Sequence, residues 1–61
     1  MFKLGDRVEA LTDSPWWKAG ARGVVVFVDG WGIVEIMFDN GARYFTAGFP
    51  FKKIDTNLGD V

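Results

Sequence analysis

Apolar and polar positions alternate most clearly between Gly32 and Tyr44. Val34, Ile36 and Phe38 share one parity, and Ile33, Glu35 and Met37 share the other. A period of two is the signature of a strand with one face turned to a core. Asp39-Asn40-Gly41 ends the run with residues that tolerate positive φ, as tight hairpin turns demand. A second β-rich run, Ala42 to Thr46, follows directly. The hairpin has two possible registers. A two-residue Asn40-Gly41 turn, the stronger signal, sets Ile36 opposite Phe45 and turns Phe45 inward. A three-residue loop turns Tyr44 inward instead.

The rest of the chain reads in the same way. Arg7 to Leu11 alternates, with Val8 and Ala10 on one face. Thr12-Asp13-Ser14-Pro15 breaks the strand, because Pro15 removes a donor and Asp13 and Ser14 can bond nearby backbone. The connection runs on through Trp16-Trp17-Lys18-Ala19 to Gly20, a length that in small domains often carries function. Arg22 to Val28 forms a second strand, apolar on both faces, and Gly23 marks a bulge or a close backbone approach. Asp29-Gly30-Trp31-Gly32 is a glycine-rich turn. Ala47 to Pro50 makes a single tight turn, and Phe51 to Ile54 a short last strand. No helical period is visible.

The pattern predicts an all-β fold: a small five-stranded antiparallel barrel over residues 1–54, followed by a polar, flexible tail over 55–61. The predicted core comprises Val8, Val24, Val26, Val34, Ile36, Phe38, Phe45 and Ile54. At 61 residues the chain is one domain and needs a dense core, which six Phe, three Trp and one Tyr provide.

Composition narrows the chemistry. The chain has no Cys and no His, which rules out disulfides, a Cys/His zinc site and a Ser-His-Asp arrangement around Ser14, its one serine. Asp6 with Glu9, and Asp29 with Asp39, read as turn and solvent-face carboxylates rather than an acid–base pair. Gly20-Ala21-Arg22-Gly23 opens a strand and not a helix, so it lacks the setting of a phosphate loop. The expectation is a protein without catalytic residues, cofactor or metal. The longest apolar run, Val24 to Val28, is far short of a membrane span, and Met1 to Leu11 does not read as a signal peptide; a cytoplasmic protein is expected.

Gly5-Asp6-Arg7-Val8-Glu9-Ala10, then Gly20-Ala21-Arg22-Gly23-Val24-Val25, resembles the opening of KOW-type and related SH3-like barrels. Val34 to Gly41 resembles the third strand and hairpin of such barrels. The spacing of Val8, Ser14, Trp16, Gly20, Gly23, Val24 and Val28-Asp29 is similar to the small extrinsic SH3-like subunit of photosystem I, which docks on the reducing side and helps position ferredoxin. The length also fits small SH3-like accessory proteins of phages and prophages. Proline-binding SH3 domains match less well: Thr12 and Ser14 stand where their groove tyrosines would be.

Aromatics in the connections are the informative group. Trp16, Trp17, Trp31 and Phe49 all fall outside strands, and exposed aromatics are the usual anchors of protein interfaces. The resemblance implies that the three connections carrying them approach one another, which predicts one shared partner-binding patch with Trp31 at its centre and Lys18 beside it. The expected role is a protein-interaction module, an adaptor or a modulator of a larger assembly. The alternative is a KOW-like nucleic-acid module using Arg22, Lys52 and Lys53, against which the net charge of −1 weighs. Exposed strand edges leave a monomer or a weak homo-oligomer as the expected state.

Overall fold

The computed structural model describes residues 2–54; the tail expected over 55–61 lies outside the described residues. Five strands form one antiparallel sheet: β1 (Arg7–Ala10), β2 (Arg22–Val28), β3 (Ile33–Phe38), β4 (Arg43–Ala47) and β5 (Phe51–Lys53), in the order β4-β3-β2-β1-β5. There is no helix among the described residues. The fold is therefore all-β, with each strand within one or two residues of its predicted bounds.

One face of the sheet builds the core. Val8 and Ala10 of β1, Val25 of β2, Val34, Ile36 and Phe38 of β3, and Phe51 of β5 are buried. With no second layer among the described residues, the sheet buries this face by curling over it. The Phe38 and Phe51 rings meet at 6.0 Å although β3 and β5 are three places apart in the sheet, about 14 Å if it were flat.

Three details of β2 to β4 differ from the sequence-based expectation. In β2 the ladder pairs Val25 with Ile36, then Phe27 with Glu35, so Val26 is an extra residue in a bulge. The buried valine is Val25, and Val24 and Val26, expected inside, are only half-buried. The bulge turns Phe27 to the outer face and brings Val28 back against the core. Gly23 supplies the close approach: an added Cβ would lie 2.6 Å from the Met37 carbonyl oxygen.

In the β3–β4 hairpin, the Phe38 N–H donates to Ala42 C=O at 2.7 Å and the Gly41 N–H donates to Phe38 C=O at 2.8 Å. The loop is thus three residues, Asp39-Asn40-Gly41, with Gly41 at φ 92°. The Asn40 side chain fixes this form by accepting from the Ala42 N–H. Ile36 consequently pairs with Tyr44, which packs against the core, and Phe45 points outward, 63% exposed. The expectation that Phe45 is core is corrected; the extra loop residue shifts the parity by one. Ile54 is half-buried, and Phe51 is the aromatic that β5 contributes to the core.

Candidate functional site: two aromatic hollows

The long first connection is held by its own short polar side chains. Ser14 Oγ accepts from the Trp16 and Trp17 N–H groups at 3.0 and 3.1 Å, and Asp13 Oδ1 accepts from the Ala19 N–H at 2.7 Å. The Ser14 N–H donates to Trp17 C=O, closing a tight turn around the two indoles. The Leu11 N–H reaches Pro50 C=O, tying this loop to the β4–β5 connection.

That turn sends the two tryptophans different ways. Trp17 folds inward over Phe38, Phe51 and Tyr44, with ring centroids 5.5, 5.2 and 6.1 Å away. Trp16 stays 61% exposed, resting 6.2 Å from Tyr44. Together with Lys18, Arg22, Asp39 and Tyr44 they line a hollow of ≈ 260 Å³ of mixed polarity.

The second hollow is larger and different in kind. In the β2–β3 turn, Asp29 Oδ1 accepts from the Trp31 and Ile33 N–H groups at 2.6 and 3.2 Å, while the Asp29 N–H donates to Ile33 C=O. Gly30 and Gly32 flank Trp31 at φ 84° and 96°, conformations that a side chain at either position would strain. The turn is therefore held by main chain and one carboxylate, and the Trp31 indole is free to stand out, 88% exposed. Phe49, in the β4–β5 connection, is 86% exposed. Trp31 and Phe49 border a cleft of ≈ 540 Å³ with Phe2, Val28, Ile33, Val34, Ala47 and Phe51, and none of the described residues that line it is charged. Phe2 lies on Gly48, where an added Cβ would come within 2.8 Å of its ring.

The four loop aromatics thus occupy two hollows instead of one shared patch. β3 explains the separation. Trp31 precedes its first residue and Trp17 packs on its last, and a six-residue strand spans about 20 Å. Lys18 accompanies Trp16 and Trp17, not Trp31. Phe51 separates the hollows, lining the larger and packing on Trp17 of the smaller. Phe2, Ile33 and Ala47 are cleft residues that the sequence did not single out; nothing in the local pattern of the lead-in marks Phe2.

The basic residues are spread out. Arg22 pairs with Glu9 at 3.2 Å, Lys53 approaches Asp6 at 3.7 Å, and Lys52 stands opposite Glu9 in the β1–β5 ladder. Arg7 holds Asp39 with two guanidinium nitrogens, at 3.1 and 3.4 Å. Among the described residues, no group of three or more acidic side chains is placed to hold a metal ion, and no helix is long and apolar enough to cross a membrane.

No protein-family model matches the chain, and no curated protein or solved structure matches it at a significant level.

Proposed function

We propose that this chain is a non-catalytic, SH3-like protein-interaction module that seats an apolar side chain of a partner protein between Trp31 and Phe49. The observation that carries the reading is a cleft whose described lining is uncharged, bordered by two almost fully exposed aromatic rings. Leaving two large rings in water costs solvation free energy that a partner recovers on covering them. A lining without charge favours a Leu-, Phe- or Met-type guest over a phosphate or a carboxylate. The absence of His and Cys from the sequence supports a binding rather than a catalytic role. The nucleic-acid reading has less support. Two of its three contact residues, Arg22 and Lys53, already face carboxylates, and Lys52 lies opposite Glu9.

Selecting peptides from a random displayed library on the immobilised protein tests this. The expected winners carry one or two large apolar residues and lose binding to Trp31→Ala and Phe49→Ala. Failure of any peptide to bind, together with tight, salt-sensitive binding of labelled DNA or RNA lost on Lys52→Ala plus Lys53→Ala, overturns it in favour of nucleic acid.

A further inference from the structure

β4 forms one border of the sheet, bonded to β3 alone among the described residues. The hairpin fixes which of its main-chain groups are spent. Phe38 and Ala42 are bonded across the hairpin, and an antiparallel ladder alternates bonded and non-bonded pairs. Ile36–Tyr44 and Val34–Thr46 are therefore the next bonded pairs. The N–H and C=O groups of Arg43, Phe45 and Ala47 turn the other way, onto the border. The Ala47 carbonyl accepts from the Thr46 hydroxyl at 2.9 Å and keeps a second lone pair.

The outer face beside this border is aromatic. Phe45 stands opposite Glu35, and Glu35 opposite Phe27, so the three form a row across β4, β3 and β2. The Phe27 and Phe45 rings meet over Glu35 edge to face at 6.1 Å. Natural sheets usually blunt an open border with charge or proline. Here Arg43 alone is charged on β4, and it sits at the strand's first position.

We infer that the β4 border is a homodimer interface, in which two copies pair β4 with β4, antiparallel, about a twofold axis at Phe45. This occupant is favoured because the strand is complementary to itself in that register. Phe45 stands opposite Phe45 of the second copy, and Arg43 opposite Ala47 of the second copy. All three outward-facing residues of each copy then bond, and no arginine faces another. Shifting the axis by one residue either way leaves one outward residue on each copy unpaired. The same register joins the two Phe27–Phe45 pairs into one continuous four-ring row, the cross-strand aromatic contact that stabilises sheets. A twofold axis demands this kind of self-complementarity. The interface is distinct from the Trp31–Phe49 cleft, which it borders only at Ala47.

Sedimentation velocity over a concentration series tests the dimer, with amide hydrogen exchange locating it. A monomer–dimer equilibrium is expected. Protection should rise with concentration at the amides of Arg43, Phe45 and Ala47 and stay unchanged along β5. Phe45→Lys, which sets two cations face to face at the axis, should weaken association by at least about tenfold, the scale of a lost central contact, and Trp31→Ala should leave it unchanged. A protein that stays monomeric up to about 1 mM, the weak limit for a specific contact, overturns the proposal. So does a dimer whose protected amides lie elsewhere, or one that survives Phe45→Lys and is lost in Trp31→Ala. The exchange measurement on the unsubstituted chain decides the matter if Phe45→Lys does not fold.

Discussion

Trp17 lies against Phe38 with ring centroids 5.5 Å apart and planes 30° from parallel. The contact joins the middle of the long first connection to the last residue of β3, so the loop closes one end of the core. Trp17 also covers Phe51 and Tyr44, and its Nε1 is buried with no hydrogen-bond partner among the described residues. The residue therefore acts through its surface area and not through a polar contact. Trp17→Ala should lower stability by roughly 3 kcal/mol, as truncating a packed aromatic does. Trp17→Phe should cost no more than about 1 kcal/mol, because the lost area is partly offset by removing an unsatisfied buried donor. Urea melts of the two variants check this. Equal losses would show that a phenyl ring recovers none of what the indole contributes, against a role carried by ring area alone.

Tyr44 and Phe45 give a second test, because the hairpin register sets their fates. Tyr44 lies against the rings of Trp16, Trp17 and Phe38, whereas the ring paired with Phe45 among the described residues is Phe27, on the outer face. Tyr44→Ala should cost about 2–4 kcal/mol, and Phe45→Ala less than about 1 kcal/mol. The ratio inverts if a two-residue turn sets the register, so thermal melting of both variants decides between the two hairpins.

The strands were readable because their signals are local. Val34, Ile36 and Phe38 declare one face by parity, and Asp39-Asn40-Gly41 declares the turn. What the pattern leaves open depends on single-residue insertions, which parity cannot detect. Asn40 using its side chain on the Ala42 N–H moves Phe45 out and Tyr44 in. The extra Val26 swaps Val25 for its neighbours in the core, and a run of five apolar residues offers no polar marker for that shift. The same limit applies to the loop aromatics. Trp16, Trp17, Trp31 and Phe49 are conspicuous as residues, but their division between two hollows depends on which end of β3 each connection reaches. Ser14 and Asp13 set that for the first loop through bonds two to six residues away.

Gly23 offers a test of the close approach between β2 and β3. It is buried between Val8 and Phe38 in the ladder, and a Cβ there would meet the Met37 carbonyl oxygen at 2.6 Å and Ile36 Cγ2 at 2.8 Å. Backbone cannot swing aside as a side-chain tip can, so the strands must part. Gly23→Ala should cost about 1–3 kcal/mol, the range for overpacking a core, despite the better intrinsic strand propensity of alanine. An unchanged midpoint in urea would show that β2 and β3 are farther apart than described.

Trp31 and Phe49 are the residues whose removal should separate binding from folding. Their rings are 88% and 86% exposed, so little packing is lost on truncation. The turn around Trp31 is held by Asp29 Oδ1 and main-chain bonds, none of which involves the indole. Trp31→Ala and Phe49→Ala should each melt within a few degrees of the unsubstituted protein, a shift worth less than about 1 kcal/mol. Phe38→Ala, by contrast, removes a buried ring that packs on Trp17, Tyr44 and Phe51, and should cost about 3–5 kcal/mol, enough to unfold a domain this small. Against a selected peptide, each cleft variant should lose at least about 1–2 kcal/mol of affinity, the usual scale for an interface anchor. The double variant should lose less than the sum, because both rings are taken to flank the same guest side chain and removing either loosens its hold on the other. Titration calorimetry of the two single variants and the double variant measures that coupling. Fully additive losses would place the two rings on separate parts of the ligand, and a Trp31→Ala that melts as low as Phe38→Ala would make Trp31 a packing residue and remove the cleft's principal anchor.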